Sequence, residues 1–227
     1  MKRVEYRDLA TMDYEACWQL QQALFDALLC DKRTPGDRAG HLLLVEHPPV
    51  YTLGKSGHAE NLLVSEERLA RLGARCYRID RGGDITFHGP GQIVGYPILD
   101  LERIGIGLRD YIAALEQAVI DAVAHYGVAA GRIAGASGVW IDAAGTRPRK
   151  ICAVGGRSSR YVTMHGFALN VSTDLRYFDH INPCGFTDRG VTSIAAETGS
   201  QPSMQEVKQL VIRELATALQ CEITSGS

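Results

Sequence analysis

Long apolar runs are missing from this 227-residue sequence, and none approaches the roughly 18 consecutive apolar residues of a membrane-spanning helix. An apolar stretch is also missing from the first residues, which carry charge where a secretory leader needs an apolar core, so we expect no such leader. We therefore expect a cytoplasmic protein with no membrane partner.

Cysteine pairs of the C-x-x-C type are also absent, although the chain has six cysteines. Cysteines in a cytoplasmic protein stay mostly reduced, so the sequence predicts neither a disulfide framework nor a zinc cluster. Four cysteines lie in helix or strand patterns and are expected in the core, namely Cys17, Cys30, Cys76 and Cys152.

A strong charge of either sign is lacking too. The net charge is -2, from 24 basic and 26 acidic residues, which argues against a nucleic-acid partner. Residues 143–173 nevertheless contain no Asp or Glu, and five basic residues fall there: Arg147, Arg149, Lys150, Arg157 and Arg160. An acidic partner could dock on this segment, although a solvated surface with scattered arginines explains it equally well.

The apolar content, 45% of the chain, is enough for one substantial core, and no linker divides the sequence, so we expect a single domain. Apolar periodicity predicts helices near residues 14–30, 65–73 and 111–126, and a capping box at Ser203 and Glu206 predicts a helix that ends the chain. Strand patterns occur at 41–46, 50–53, 76–80, 85–88, 93–99, 138–142, 151–154 and 162–171.

The order of these elements is irregular. It lacks the regular spacing of βαβ units, which favours an α/β fold with a mixed sheet over a doubly wound parallel one. The three strand patterns between residues 76 and 101 are predicted to be neighbours in one sheet, covered by the helix near 111–126.

A glycine-rich segment at residues 81–92 is the first candidate for chemistry. Glycines let the backbone approach a ligand, but this spacing matches neither a P-loop nor a dinucleotide-binding fingerprint. Two tight turns flanking a strand would explain the glycines, but not the Arg81 and His88 that frame them.

The turn Asn182-Pro183-Cys184-Gly185 holds the second candidate. A cysteine in a polar turn exposes its sulfur and leaves backbone N–H groups able to stabilise an oxyanion, so Cys184 is predicted to be a nucleophile. Its thiol has an ordinary pKa of roughly 8.5 and therefore needs a nearby cation or base.

The residues alone leave the partner of Cys184 open. His47, His88 and His165 are the histidine candidates, whereas His41, His125 and His180 fit structural positions, and His58 is undecided. Lys150, which enters an apolar strand, would serve as a base if burial lowered its pKa, but most lysines at strand starts are solvated.

Taken together, these segments resemble the lipoyl(octanoyl) transferases, which act between octanoyl-acyl carrier protein and lipoyl domains. The matching blocks occur in the family's order at residues 47–54, 81–92, 150–155, 165–171 and 182–185, within a core of about 40–195. The resemblance implies one catalytic domain over residues 1–227, with the mixed-sheet fold of biotin and lipoate protein ligases.

The resemblance also implies roles for individual residues. Cys184 would be the acyl-thioester nucleophile, and Lys150, not a histidine, would lower its pKa. Substrate contacts would fall on three stretches: Arg81, Gly82, Gly83, Asp84, Ile85, Thr86, Phe87 and His88; Ala153, Val154 and Gly155; and Gly166, Phe167 and Ala168. Ile151, Val154, Phe167 and Leu169 could line an acyl tunnel, or simply belong to the core.

The implied reaction needs no cofactor and no metal. The donor would be octanoyl-acyl carrier protein, and the acceptors would be the lipoyl domains of 2-oxoacid dehydrogenase complexes and the glycine cleavage H protein. Three alternatives remain: an ATP-dependent lipoate or biotin ligase, a module that binds lipoyl domains without turnover, and a hydrolase that pairs Cys184 with His165.

Overall fold

The structure is a computed structural model that describes residues 1–182 and 190–226. Its helices are α1 (Tyr14–Asp31), α2 (Glu66–Arg71), α3 (Leu101–Ile104), α4 (Leu108–Ala124), α5 (Ile194–Thr198) and α6 (Met204–Ala218). Its strands are β1 (Lys2–Thr11), β2 (Arg38–Glu46), β3 (Val50–Leu53), β4 (Arg75–Arg78), β5 (Ile85–His88), β6 (Gln92–Leu99), β7 (Ala130–Ile133), β8 (Ala136–Ile141), β9 (Arg149–Ser159), β10 (Val162–Asn170), β11 (Gly190–Val191) and β12 (Cys221–Ser225).

A nine-stranded sheet forms the centre of the molecule, in the order β12-β1-β2-β6-β10-β9-β8-β7, with β11 attached to β9. β1 pairs in parallel with β2 and β12, whereas β6 and β10 pair antiparallel with their neighbours. The predicted mixed-sheet α/β class is therefore confirmed.

Helices cover both faces of this sheet. Cys17 and Phe25 of α1 pack on one face, and α4 and α6 pack on the other through residues such as Leu115 and Val211. Strands that are covered on both sides have no solvent face, and β10 is accordingly buried at every position. The lack of Asp, Glu, Lys and Arg at residues 162–171 is consistent with this burial.

A smaller sheet has the order β4-β3-β5 and packs beside the large one. The strands near 76–80, 85–88 and 93–99 were predicted to be neighbours in one sheet, and this is wrong. β4 and β5 share the small sheet but are separated by β3, and β6 lies in the large sheet, where it pairs with β2 and β10. The chain leaves the small sheet at a turn that ends in Gly91, which has a φ of 77°.

Three of the more exposed strands, β1, β7 and β12, were not predicted. β1, β7 and β12 are partly exposed and lack a clear alternation of apolar and polar residues. The sequence predicted that the chain ends in a helix, which is wrong: α6 begins after its cap Ser203, as expected, but β12 follows it and joins β1.

The four cysteines that were expected in the core differ in their burial. Cys17 and Cys152 are buried, but Cys30 and Cys76 are exposed, so the prediction is wrong for those two. Cys30 is near the end of α1, and Cys76 lies on β4 at the edge of the small sheet. Within the described residues, no helix is long and apolar enough to cross a membrane.

Candidate active site

A cavity of about 600 Å³ opens between the small sheet, the centre of the large sheet and α4. Its walls come from the loop at 81–84, from β5, β6, β9 and β10, from the start of α4 and from the start of β8. Most of the lining is apolar, with a few polar side chains among it, as is typical of sites that bind small molecules or acyl groups.

The loop at residues 81–84 is held against β9 by backbone contacts. The Gly82 amide donates a hydrogen bond to the Gly156 carbonyl at 3.1 Å. A Cβ on Gly155 would lie 3.2 Å from the Arg81 side chain and from the Gly82 carbonyl oxygen, so the strand carries glycine where the loop crosses it. The Arg81 guanidinium donates to the Asp84 carbonyl at 2.8 Å, which fixes the curve of the loop.

A chain of buried polar groups runs along one wall of the cavity. His88 Nδ1 lies 2.8 Å from Gln92 Oε1, Gln92 Nε2 donates to Asn170 Oδ1 at 2.8 Å, and Asn170 Nδ2 donates to the Thr192 carbonyl at 2.9 Å. Burial lowers the pKa of His88 to about 3, so the imidazole is neutral in the folded protein near pH 7.

His165 lines the cavity and is neutral for the same reason. Burial, followed by the charges of Arg81 and Arg157, lowers the pKa of His165 to about 3. Its Nε2 lies 2.8 Å from Asp80 Oδ1, and Arg157 pairs with the other oxygen of that carboxylate. His165 also adopts a φ of 61°, which is uncommon outside glycine.

His47, another candidate partner for the thiol, lies behind the cavity wall. Its Nδ1 donates to the Met12 carbonyl at 2.7 Å, and its Nε2 accepts from the Tyr96 hydroxyl at 2.9 Å. Burial lowers the pKa of His47 to about 4. Both ring nitrogens are engaged in a structural network.

Lys150 forms part of the cavity wall at the second residue of β9 and is half-buried. Its Nζ lies 4.6 Å from the ring centroid of Trp140, within the range of a cation–π contact. β11 pairs with β9 at this point, with Val191 opposite Lys150. The described chain thus resumes at Gly190 directly beside this lysine.

The structure brings most of the implied contact residues to the cavity. Lys150 and thirteen of the fourteen implied substrate contacts line the cavity. These thirteen are Arg81, Gly82, Gly83, Asp84, Ile85, Thr86, His88, Ala153, Val154, Gly155, Gly166, Phe167 and Ala168. Phe87 does not line it, because its ring points into the core of the small sheet and stacks on Tyr177 at 4.6 Å. Cys184 lies outside the described residues.

Of the four apolar residues considered for an acyl tunnel, Val154 and Phe167 line the cavity, whereas Ile151 and Leu169 lie in the core. Sequence reasoning missed other lining side chains, including Tyr14, Tyr96 and Trp140, and the start of α4. These residues come from distant parts of the chain, and their helix and strand patterns match ordinary core positions.

Comparison with known proteins places this arrangement in a family. Residues 13–216 match the lipoyl protein ligase A/B catalytic domain. An octanoyltransferase from Bacteroides fragilis is 54% identical over 212 residues, which cover 93% of this chain and 96% of that protein.

Two solved structures share the fold. Lipoate-protein ligase A bound with ATP has a TM-score of 0.75 at 17% identity, covering 100% of this chain and 89% of that one. A biotin protein ligase from Aquifex aeolicus has a TM-score of 0.54 at 14% identity, covering 95% of this chain and 70% of that one. The predicted fold relationship is confirmed.

These comparisons also confirm the predicted enzyme class, since relatives that share about half of the residues over nearly the whole chain are acyltransferases. The chain belongs to the lipoyl protein ligase A/B catalytic-domain family, alongside its octanoyltransferases.

Proposed function

We propose that the protein transfers an octanoyl chain from acyl carrier protein to a lysine of a lipoyl domain, through a thioester on Cys184 assisted by Lys150. The observation that carries this proposal is the half-buried Lys150 in the wall of a mostly apolar cavity, beside β11, which begins six residues after Cys184 in the sequence. The proposed acceptors are the lipoyl domains of 2-oxoacid dehydrogenase complexes and the glycine cleavage H protein, and the proposed location is the cytoplasm.

The first step exchanges one thioester for another. The Cys184 thiolate attacks the carbonyl carbon of the octanoyl thioester, a new C–S bond forms, and the bond to the carrier's sulfur breaks. The carrier thiolate leaves and takes up the proton that Cys184 gave to Lys150. Because the bonds made and broken are alike, this step is nearly balanced in free energy.

The second step forms an amide. The amine of the acceptor lysine attacks the same carbonyl carbon, a C–N bond forms, and the thiolate of Cys184 is released. The nitrogen loses a proton, which Lys150 can accept and pass to the sulfur. An amide is more stable than a thioester, so this step drives the overall transfer without nucleotide activation.

The histidines of the site support lysine as the assisting group. His165 donates to Asp80 and His88 contacts Gln92, and burial holds both imidazoles neutral with pKa values of about 3. A base of such low pKa is poorly matched to a thiol near neutral pH. The hydrolase that pairs Cys184 with His165 is therefore less well supported.

The test compares two variants in octanoyl transfer to a lipoyl domain, with octanoyl-acyl carrier protein as donor and no ATP. Lys150→Met should slow transfer by roughly a hundredfold or more, the usual range for loss of a general base. His165→Ala, which changes a neighbouring residue of the same cavity, should retain activity within about tenfold of the wild type. The opposite ranking would refute the assignment of Lys150.

A further inference from the structure

Glu116 is a charged residue on the buried face of α4, among apolar neighbours such as Leu115 and Val119. A buried carboxylate is costly unless its oxygens are hydrogen-bonded. Here, Oε2 accepts from Arg132 Nε at 3.0 Å, and Oε1 accepts from the backbone amide of Gly138 at 2.9 Å. The carboxylate therefore ties α4 to the start of β8.

Gly138 is the point at which β8 meets Lys150. A Cβ on Gly138 would lie 3.3 Å from Lys150 Cε, 3.4 Å from Lys150 Cδ and 2.5 Å from the Cys152 carbonyl oxygen. The aliphatic part of the lysine thus occupies the space beside the glycine backbone. Any shift of Gly138 changes the surface on which this side chain rests.

The register of β8 and β9 places a second wall next to the lysine. Trp140 is paired with Lys150, and the register shifts between Val139 and Trp140. The indole Nε1 donates to the Ala136 carbonyl at 3.0 Å, and the ring contacts Lys150 Nζ. The Lys150 side chain is thus flanked by the Gly138 backbone, which Glu116 holds, and by the indole of Trp140.

We propose that Glu116 is a positioning residue for Lys150, acting through the Gly138 amide. Glu116 fixes the start of β8, β8 confines the lysine stem between Gly138 and Trp140, and the ammonium group is thereby held in the cavity wall. The inference rests on the proposed function, because it assigns a role relative to the proposed assisting group.

Two variants of Glu116 separate the effect of its side-chain length from the effect of its charge. Glu116→Gln keeps the length of the side chain and an acceptor oxygen for Gly138, and Arg132, which is 41% exposed and also donates to the Ala113 carbonyl, can adjust. Glu116→Asp keeps the charge but shortens the side chain by one methylene, which withdraws the acceptor. The positioning role predicts near-wild-type rates for Gln and a loss of roughly tenfold or more for Asp.

The measurement is a single-turnover reaction with saturating octanoyl-acyl carrier protein, which gives an acylation rate constant and an amplitude. A positioning role lowers the rate constant at full amplitude, whereas a loss of folded protein lowers the amplitude alone. Lys208→Met is the matched control: it removes another ion pair of a buried side chain, Lys208 with Asp8 at 2.9 Å, between α6 and β1, and should leave the rate constant unchanged.

The outcomes distinguish the two proposals. If the wild type acylates and Lys150→Met does not, the proposed function stands, and the Glu116 variants then decide the inference. An unchanged rate constant in Glu116→Asp, or a loss in Glu116→Gln equal to that in Glu116→Asp, would overturn the positioning role. If the wild type itself does not acylate, the proposed function fails.

Discussion

At the scale of single residues, burial sets the protonation state of the site. His47, His88 and His165 all have lowered pKa values because the charged imidazolium would lose its hydration in the interior. His47 shows how the neutral form is satisfied, since Nδ1–H meets a carbonyl and Nε2 meets a hydroxyl. These rings act as hydrogen-bonding parts of the framework.

Because folded His47 stays neutral, we predict that the protein loses stability in acid. Above pH 6.5, the ordinary pKa, His47 is neutral in both the folded and the unfolded protein. As the pH falls from 6.5 towards 4, the unfolded chain binds a proton that folded His47 does not bind, so the free energy of unfolding falls. The contribution of His47 approaches about 1.4 kcal/mol per pH unit within this window.

The measurement is the free energy of unfolding in denaturant from pH 4.5 to 8 for the wild type and His47→Gln. The variant should lose stability less steeply below pH 6.5, and the two slopes should coincide above pH 7. Equal slopes throughout the acid range would show that His47 titrates alike in both states.

Phe87 shows the limit of residue-level prediction at this site. It lies in the glycine-rich segment between two lining residues, Thr86 and His88, yet its ring packs against Tyr177 in the core of the small sheet. Adjacent residues of a strand point to opposite faces, so a contiguous motif on a strand necessarily includes residues that face away from the ligand. The motif locates the strand, and the geometry decides which side chains line the cavity.

At the scale of elements, close approach between strands determines where glycine is needed. Gly166 of β10 faces β6, and a Cβ there would lie 2.2 Å from the Gly95 carbonyl oxygen and 2.5 Å from Pro97 Cδ. Gly95 in turn leaves room for the Phe167 ring, which would otherwise meet a Cβ at 2.2 Å. The glycines let two strands and one aromatic ring fit at the cavity wall.

Gly166→Ala should therefore lower the free energy of unfolding by about 1–3 kcal/mol, because the added methyl meets backbone that cannot move alone. Gly156→Ala is the matched control on the neighbouring strand, where the nearest atom to the new Cβ is the Met164 carbonyl oxygen at 3.5 Å. It should change stability by no more than about 0.5 kcal/mol. Equal losses in chemical denaturation would contradict this account.

The elements themselves could be predicted where they are strongly periodic or strongly apolar. α1, α4 and the strands β2, β5, β6 and β10 lie close to the predicted bounds, and α6 begins where its capping box predicted. The strands with which β6 pairs could not be predicted. A glycine turn carries the chain from the small sheet to the large one, and the strand-like sequence pattern is the same on both sides of the turn. β1 and β12 escaped prediction because their pairing joins the two ends of the chain.

At the scale of the whole molecule, two sheets and α4 enclose one cavity whose walls come from widely separated segments. The sequence motifs located the parts that contribute consecutive residues, such as the loop at 81–84 and the strand that begins at Arg149. Glu116, Gly138 and Lys150 could not be connected in advance, because their contact depends on the register of β8 and β9 and on the packing of α4.

In the proposed mechanism, the protein itself carries the octanoyl chain as a thioester on Cys184. The most direct measurement is the intact mass of the wild type and of Cys184→Ser after incubation with octanoyl-acyl carrier protein in the absence of ATP. We expect a gain of one octanoyl group on the wild type and none on the variant. A wild type that gains no octanoyl mass, or a variant that transfers octanoate as fast as the wild type, would contradict this mechanism.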